Sequence, residues 1–244
     1  MQGKKQRGKQ VKVLQAVPES QDVVSIYLDR PEEAAFQDWK PGQYAVVRKK
    51  EGQQWSKPRP FTLSCAPGEG YLRLTVKKKG DFTQALHNIK PGDELLIDGP
   101  FGSFCADIHS RQSVVLISGG VGITPFLSVL RHFREVGAEN HVVLFSAFKT
   151  RKDIIAWQEL QELVQGLDLK LVLVLSREKE LPKQQENIFW EQGYITRQIL
   201  EKYSDLEQSS IYVCGPPAMQ EKVLQELEQA GVDRSRVQIE KFGG

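Results

Sequence analysis

The distribution of apolar and polar residues changes near the middle of the chain. Up to about residue 106, short segments rich in β-branched and aromatic residues alternate with turns that contain proline, glycine or acidic residues. Short strands separated by such turns are typical of a small antiparallel barrel. The six candidate strands are residues 11–19, 22–30, 43–50, 59–66, 71–79 and 93–102. A short helix is predicted at residues 81–89, between the last two of these strands.

Continuously apolar strands alternate with amphipathic helices in the second half of the chain. The strands are residues 113–119, 141–148, 169–176, 209–215 and 237–242. The helices between them are predicted at residues 125–137, 153–166, 195–204 and 217–231. Strands that are apolar on both faces, each followed by a helix, indicate a parallel sheet covered by helices on both sides.

The sequence therefore predicts two domains of different fold class. A six-stranded antiparallel Greek-key barrel is expected over residues 11–106. A doubly wound parallel five-stranded α/β domain is expected over residues 107–244, with a long polar loop before the helix at residues 195–204. Residues 1–10 are expected to form a basic, flexible tail.

The composition is that of a globular protein and argues against several classes of function. Of the 244 residues, 40% are hydrophobic and 26% are charged, and the net charge of +2 is too small to indicate a nucleic-acid-binding protein. The basic residues near the N-terminus are interpreted as a solvated terminus in preference to a nucleic-acid or membrane arm. No secretory signal or membrane-length apolar run is visible, so a cytoplasmic location is expected.

The cysteines and histidines do not form a recognisable metal or disulfide pattern. Cys65, Cys105 and Cys214 are an odd number without a Cys-x-x-Cys pair, which argues against a disulfide framework, a zinc knuckle and an iron–sulfur cluster. The four histidines share no spacing typical of metal ligands. No metal site is therefore predicted.

A glycine-rich turn follows the first strand of the predicted α/β domain, in LISGGVGITPFLSVL at residues 116–130. Gly120 and Gly122 allow the backbone to approach an anion, and a helix N-terminus favours negative charge. Thr124 suits the N-cap and Pro125 the first helical position. The third glycine of the usual dinucleotide fingerprint is absent, and no acid ends the second strand of this domain. By itself the turn indicates an anion or nucleotide site.

Six short motifs lie along the two predicted domains. They are RPFTLS (59–64), KKKGDFT (77–83), GPFGSF (99–104), GGVGITP (119–125), YVCGPPAM (212–219) and EKFGG (240–244). In this order and spacing they resemble the ferredoxin–NADP reductase family over nearly the whole chain beyond the tail. The resemblance implies a flavin-binding barrel, an NAD(P)-binding α/β domain and an NAD(P)H-dependent flavoprotein oxidoreductase. FAD is the implied flavin, with FMN as the alternative.

The resemblance assigns a flavin site to the barrel. Arg59 would bind a flavin phosphate, Phe61 would face the isoalloxazine ring, and the Thr62 hydroxyl would reach flavin N5, where hydride arrives. A second phosphate contact is implied at the Gly80 motif, although the family usually has a small residue where this chain has Asp81. The implied flavin-binding residues are Arg59, Phe61, Thr62, Val76, Lys77, Gly80, Phe82, Thr83 and Phe242.

The resemblance also assigns a nicotinamide-dinucleotide site to the α/β domain. Ser176 and Arg177 would hold a 2′-phosphate, which favours NADPH over NADH as co-substrate. An ordinary polar loop is the alternative interpretation of these two residues. The implied NAD(P)-binding residues are Gly120, Gly122, Thr124, Pro125, Ser176, Arg177, Cys214, Gly215 and Pro216.

Three residues are implied in aligning hydride transfer: Thr62, Cys214 and Glu240. Cys214 would lie beside the nicotinamide ring, and its alternative role is that of a small apolar strand residue. Glu240 would position the flavin or transfer a proton. Phe242 would cover the free face of the flavin, and its alternative role is a hydrophobic plug at a chain end.

The electron acceptor is expected to be a separate protein, because the chain ends soon after the Glu240 motif and carries no cysteine cluster. Ferredoxin, flavodoxin or the oxygenase of a multicomponent system is the expected partner. The basic residues that would steer an acidic carrier are Arg48, Lys49, Lys50, Lys57, Arg59, Lys77, Lys78 and Lys79. Protection of strand edges against aggregation is the alternative explanation.

Three other functions stay open on the sequence alone. A reductase of free flavin or quinone would need no protein partner. An electron-transfer subunit of a larger dehydrogenase would normally carry an additional cysteine cluster. A nucleotide-binding regulatory module without flavin would leave the motifs at residues 59–64 and 240–244 unexplained.

Overall fold

The computed structural model describes residues 8–240. Most of the predicted tail, Phe242 and the end of the last predicted strand lie outside this range. The predictions made for those residues therefore stay predictions.

The first half of the chain forms a closed antiparallel barrel. Its strands are β1 (Lys9–Ser20), β2 (Val23–Asp29), β3 (Tyr44–Glu51), β4 (Gln54–Trp55), β5 (Arg59–Thr62), β6 (Tyr71–Lys77) and β7 (Glu94–Phe101), and its helices are α1 (Ala34–Gln37) and α2 (Asp81–His87). Six strands pair in the order β5-β3-β7-β1-β2-β6, and the bridge from Leu63 to Leu74 closes the ring. The predicted six-stranded antiparallel barrel is thus confirmed. The two-residue strand β4, which pairs with the end of β3, is an addition that the sequence did not predict.

Alternation along the strands explains why the barrel closes around one apolar core. In β1, Val11 and Val13 are buried, whereas Lys12 and Leu14 between and after them are exposed. Successive side chains of a strand point to opposite faces, so every second residue enters the core. Ile26 of β2 is fully buried in the same core.

The second half forms a parallel sheet flanked by helices. Its strands are β8 (Ser113–Gly119), β9 (His141–Phe148), β10 (Leu169–Leu175), β11 (Ile188–Gln192), β12 (Ser210–Cys214) and β13 (Val237–Glu240), and its helices are α3 (Thr124–Val136), α4 (Trp157–Gly166), α5 (Arg197–Tyr203) and α6 (Pro217–Gln229). All strand pairs are parallel, in the order β11-β10-β9-β8-β12-β13. The predicted doubly wound α/β class is confirmed.

Within residues 8–240 the parallel sheet has six strands, and the predicted number of five is wrong. The additional strand β11 lies in the segment that the sequence indicated as a polar loop. It is an edge strand in which only Ile188 and Trp190 are buried, so its apolar signal is too short to separate it from a loop.

The helices divide between the two faces of this sheet. Apolar residues of α3 and α4, such as Phe126 and Leu160, form one cluster that also includes Val23 of the barrel. Leu200 of α5 and Leu227 of α6 belong to a second cluster on the other face. The barrel therefore packs on the α3–α4 side. No helix within residues 8–240 is long and apolar enough to cross a membrane.

Asp107, between the two domains, fastens the connecting segment to the parallel sheet. Its Oδ1 accepts hydrogen bonds from the Tyr212 hydroxyl at 3.0 Å and from Gln238 Nε2 at 3.1 Å. Its Oδ2 is ion-paired with Arg111. Hydrogen bonding from Arg111 first, and from Gln238 and Tyr212 in addition, lowers the pKa of Asp107 to about 2.

Replacing Asp107 with asparagine is expected to destabilise the protein by about 1 kcal/mol near neutral pH, a small value because the carboxylate is partly exposed and screened. Since the folded-state pKa lies below the usual 3.8, this contribution is complete above that value and disappears as the pH falls towards about 2. Urea midpoints of both proteins across this window provide the measurement. Asp38→Asn is the control, because its exposed carboxylate makes no hydrogen bond within the described residues. A difference that stays constant at low pH would contradict the assignment.

Candidate active site

A cleft of about 240 Å³ lies where the carboxyl ends of the parallel strands face the barrel. Ligands of doubly wound sheets bind at this edge of the sheet. The residues of the α/β domain that line the cleft are Gly119, Gly120, Ala147, Phe148, Lys149, Asp153, Ile155, Ser176, Gly193, Tyr194, Pro216 and Met219. The barrel contributes Asp22, Val23 and Lys77. The cleft is therefore shared by both domains.

The glycine turn follows β8 and lines one side of this cleft. Gly120 has a φ of +53°, a left-handed conformation that favours glycine. The helix α3 begins at Thr124, so the prediction that this residue is the N-cap is wrong by one position. The Thr124 hydroxyl donates to the carbonyl of Val121 at 3.0 Å and the residue is buried. Pro125 is the second helical residue, where its missing N–H is also tolerated.

Gly122 and Gly215 allow two turns to pack backbone against backbone. A Cβ on Gly122 would lie 2.3 Å from the carbonyl oxygen of Cys214. A Cβ on Gly215 would lie 2.8 Å from Cε of Met219 and 3.1 Å from the backbone nitrogen of Gly119. Glycine is required at these positions because the ends of β8 and β12 lie in close contact.

Cys214 and Glu240 are paired neighbours at the ends of β12 and β13. Burial, with the nearby Glu240 in addition, raises the pKa of the Cys214 thiol, which therefore stays protonated at neutral pH. Burial also raises the pKa of Glu240, so this carboxyl holds its proton to a higher pH than an exposed one. Gln220 Nε2 donates to the carbonyls of Gly215 at 2.9 Å and Glu240 at 2.7 Å, which ties the two strand ends together.

On the barrel, β5 presents the three residues of the predicted flavin motif. Arg59 is exposed, and no hydrogen bond or ion pair with another residue of the described range engages its guanidinium group. Phe61 is half-buried, and its ring stacks on Phe82 of α2 with centroids 5.9 Å apart and planes 19° apart. Thr62 is 7% exposed. Its hydroxyl is not a buried group left without a hydrogen-bond partner.

Two aromatic residues beside this motif were not identified from the sequence. Tyr44 of β3 is the pairing partner of Thr62, and its ring lies 5.9 Å from that of Phe101. Phe101 is 40% exposed. Their signal in the sequence is that of ordinary strand residues, and only the strand register brings them to the flavin motif.

The Gly80 motif forms a tight turn before α2. The Thr83 hydroxyl accepts hydrogen bonds from the backbone N–H groups of Lys79 at 2.8 Å and Gly80 at 3.1 Å, so both donors are engaged. The side of Gly80 on which a Cβ would project is open, with no atom within 4 Å. The open space beside Gly80 can therefore accommodate a ligand, whereas the two N–H donors are already engaged.

The remaining predicted flavin residues of the described range lie on β6. Val76 is fully buried in the barrel core and its carbonyl lies 3.1 Å from His87 Nε2, so this predicted flavin-binding residue presents no exposed surface to a ligand. Lys77 lines the cleft and is ion-paired with Asp22 at 2.9 Å. The structure thus places Lys77 on the nucleotide side of the barrel.

Ser176 and Arg177 follow directly after β10. Ser176 lines the cleft, and its backbone N–H donates to the carbonyl of Phe148 at 3.0 Å. Arg177 is exposed at the rim, and within residues 8–240 its guanidinium group makes no ion pair. The next residue, Glu178, accepts a hydrogen bond from the backbone N–H of Arg151 at 2.8 Å.

Tyr194 is the largest lining residue that sequence reasoning did not identify. It follows β11, lines the cleft and is 74% exposed. Because β11 itself was interpreted as loop, its carboxyl end was not recognised as part of the ligand-binding edge.

The residues present fit both an FAD and a nicotinamide dinucleotide. Arg59 offers an unengaged cation to a phosphate, Phe61 and Phe82 offer a flat apolar surface, and Gly80 leaves open space. The Gly120 turn lies at the edge of the sheet where parallel-sheet domains bind dinucleotides.

Two domain families match the sequence. The family described as FAD-binding domain matches residues 7–104, and the family described as oxidoreductase NAD-binding domain matches residues 116–225. These matches support FAD as the cofactor and NAD(P)H as the co-substrate.

Similar proteins include reductases and longer flavoproteins. The chain is 32% identical over 235 residues to the reductase component of propane 2-monooxygenase from Rhodococcus jostii, covering 95% of this chain and 62% of that protein. It is 30% identical over 245 residues to a flavohemoprotein from Bacillus anthracis, covering 95% of this chain and 60% of that protein. Its length is therefore about three-fifths of that of these relatives.

A solved structure has the same arrangement of both domains. It is the FAD/NAD-binding domain of nitric oxide dioxygenase from Vibrio cholerae, with a TM-score of 0.83 and 28% identity. The alignment covers 98% of this chain and 100% of that one.

Proposed function

Because the chain belongs to the ferredoxin–NADP reductase family of NAD(P)H-dependent flavoprotein oxidoreductases, we propose that it moves a hydride between NADPH and FAD and passes the electrons to a separate protein. The observation that carries this proposal is the cleft at the carboxyl edge of the parallel sheet, which faces the barrel and is lined by both domains. A nucleotide in this cleft would be directed towards a flavin on the barrel. Bound FAD supplies the hydride-accepting N5 atom.

The barrel residues hold the flavin in this proposal. Arg59 binds a flavin phosphate, and Phe61, supported by its stack on Phe82, presents an apolar surface to the ring system. Thr62, on the strand β5 that pairs with β3, would hydrogen-bond flavin N5 through its hydroxyl. Because these residues lie on a closed barrel, their backbone positions are set before the ligand binds.

The residues of the α/β domain hold the nucleotide in this proposal. Gly120 lets the backbone approach the pyrophosphate. Cys214 is fully buried in the core, so its neutral side chain supports the end of β12 and presents no surface to the nicotinamide. Burial raises the pKa of the Glu240 carboxyl, which pairs with Cys214 across the strands and is the proposed group for positioning or proton transfer. Alignment of donor and acceptor makes the transfer effectively unimolecular.

Arg177 is the proposed determinant of NADPH preference. Replacing it with methionine is expected to raise the KM for NADPH about tenfold, because a charge-assisted contact with the 2′-phosphate is lost. The KM for NADH, which lacks this phosphate, is expected to stay unchanged. Arg151→Met is the matched control, since that arginine lies on the neighbouring loop and is directed towards Glu178. Equal losses with both nucleotides would contradict the assignment.

The proposed electron acceptor is a small acidic carrier such as ferredoxin or flavodoxin. Three lysines of the basic set are ion-paired within the barrel: Lys49 with Glu51, Lys50 with Glu94 and Lys77 with Asp22. The exposed members without an ion pair in the described range are Lys57, Arg59, Lys78 and Lys79. Because Arg59 is assigned to the flavin phosphate, the three lysines are the proposed steering surface.

A second candidate is the reductase component of a multicomponent oxygenase. The similarity to the reductase component of propane 2-monooxygenase favours it. The two candidates share the hydride-transfer step and differ only in the acceptor. Turnover with a purified ferredoxin, compared with an oxygenase component and with small dyes, separates them.

Anaerobic titration of the purified protein tests the proposed function. A yellow protein that low NADPH bleaches supports the flavin, the hydride step and the Arg177 assignment together. Bleaching by NADH alone retains the oxidoreductase and contradicts the 2′-phosphate contact. A colourless protein that neither FAD nor FMN reconstitutes overturns the proposal.

A further inference from the structure

We infer that a buried ionic network between the two domains fixes the NAD-binding domain on the barrel, and that Arg73, Arg131 and Glu159 are positioning residues for hydride transfer. The interdomain network consists of Glu19, Glu69, Arg73, Arg131 and Glu159. The inference rests on the proposed function, because positioning matters only if flavin and nucleotide meet across this interface.

Arg73 is the barrel's contribution to the network. It lies on β6 and is 1% exposed, although its guanidinium group carries a charge. Nη1 donates to Glu159 of α4 at 2.6 Å and Nη2 to Glu19 of β1 at 3.0 Å. Nε donates to the Ser25 hydroxyl at 3.2 Å. All three guanidinium nitrogens are therefore engaged, and the hydrogen bond from Nη1 crosses to the other domain.

Arg131 makes the reciprocal connection from the α/β domain. It lies on α3 and is 9% exposed. Nε donates to Glu69 of the barrel at 3.0 Å, and Nη2 to the Tyr71 hydroxyl at 2.5 Å. Nη1 donates to Glu159 at 2.7 Å. Each domain thus holds an arginine whose partners include a residue of the other domain.

Glu159 connects the two arginines. Its Oε1 accepts from Arg131 and its Oε2 from Arg73, so one carboxylate bridges both guanidinium groups. A parallel contact joins Glu19 Oε2 to the backbone N–H of Ala156 at 3.0 Å, just before α4 begins. The start of α4 is therefore attached to the barrel at two points.

The network requires that both arginines stay charged. Burial lowers the pKa of Arg73 and of Arg131, but Glu159 and the other carboxylates more than compensate, and the net pKa of each is raised. The planar forks accept only a narrow range of partner directions. An apolar interface of the same area would allow sliding, whereas these contacts define one orientation.

The helix and the strand on which the two arginines lie also extend to the cleft. Helix α3 runs from the glycine turn at Thr124 to Arg131, about 10 Å along its axis. Strand β6 carries Arg73 in the network and Lys77 at the cleft. Because a helix and a strand are stiff over this length, a rotation at the network displaces the nucleotide site relative to the barrel.

Glu159→Gln tests the inference, since it keeps the shape of the side chain and removes the charge between two buried cations. We expect full FAD content, a tenfold or larger decrease in the limiting rate of flavin reduction by NADPH, and loss of the long-wavelength charge-transfer absorbance of stacked nicotinamide and flavin. Leu200→Ala is the control for stability, because it opens the core on the far face of the sheet, away from the barrel. That variant is expected to lose thermal stability and retain both the rate and the absorbance.

Domain orientation is measured separately, by the distance between spin labels at Gln53→Cys in the barrel and Glu228→Cys on α6. Both positions are exposed, and the three native cysteines are buried. We expect one narrow distance distribution in the parent protein and a broader or shifted one with Glu159→Gln. Arg131→Lys, which keeps the charge but loses the fork, replaces Glu159→Gln if that variant does not fold.

The outcomes separate this inference from the proposed function. An unchanged distance distribution overturns the inference, whether or not the protein reduces a flavin. A broadened distribution with an unchanged rate and charge-transfer band overturns the positioning role. A parent protein that binds no flavin refutes the proposed function and with it the positioning role, while the spin-label distances still report whether the network fixes the interface.

Discussion

Replacing Thr62 with valine is expected to slow the reduction of bound FAD by NADPH about 100-fold, because a single hydrogen-bond donor aimed at a reacting atom contributes on this scale. Valine has nearly the same shape, so the barrel core around this 7%-exposed position should be retained. The flavin content and the KM for NADPH are expected to change little. Anaerobic stopped-flow absorbance gives the limiting rate directly.

Thr62→Ser is the informative control, since it restores the hydroxyl with one methyl group fewer. We expect it to recover most of the rate. If serine and valine were equally slow, the methyl packing against the barrel would matter and the hydroxyl would not. If both were as fast as the parent, Thr62 would have no part in the alignment of hydride transfer.

Replacing Gly122 with alanine is expected to destabilise the protein by about 3 kcal/mol or more, because backbone atoms have no rotamer through which to avoid the new methyl group. The added Cβ would lie 2.3 Å from the Cys214 carbonyl oxygen and 2.7 Å from Cα of Gly215. The ends of β8 and β12 would have to separate, and the cleft would change shape with them. Urea unfolding and the soluble yield at growth temperature measure this effect.

Gly120→Ala is the matched control two residues away. Gly120 also occupies the turn, but no atom lies within 4 Å of its added Cβ. Its φ of +53° makes alanine unfavourable by about 1 kcal/mol. Similar losses at both positions would show that conformation, and not the contact with Cys214, determines the need for glycine.

The sequence predicted the fold class because each half has one dominant periodicity. In the barrel, alternation such as that of Val11 and Val13 with their polar neighbours identifies strands locally. In the parallel sheet, runs such as that of β10 are apolar at nearly every position. The strands that were missed, β4 and β11, are a two-residue extension and an edge strand. Both depend on pairing with a neighbour more than on their own composition.

The candidate site was predicted only in part, because motifs identify residues but do not tell where their side chains point or what they contact. The adjacency of Cys214 and Glu240 follows from parallel pairing and is present in the structure. The burial of the Val76 side chain and the engagement of the Thr83 hydroxyl with the turn depend on packing that the motifs do not encode. Similarly, Tyr44 reaches Thr62 only through strand register.

The interdomain network was beyond sequence reasoning altogether. Arg73 and Glu159 are 86 residues apart, and each resembles an ordinary surface charge in its own element. A charged residue on an amphipathic strand or helix is normally assigned to solvent. Their burial follows only from the packing of one finished domain on the other.

The hydrogen bonds from Gln220 to Gly215 and Glu240 have a consequence for how often the site is complete. Within residues 8–240, strand β13 covers four residues and pairs with β12 alone, and edge strands of this kind open at a lower free energy than the interior of a sheet. Glu240 is the last described residue of this strand. The fraction of time for which this acid is in place is therefore an equilibrium property of the edge, and one glutamine amide sets much of its value.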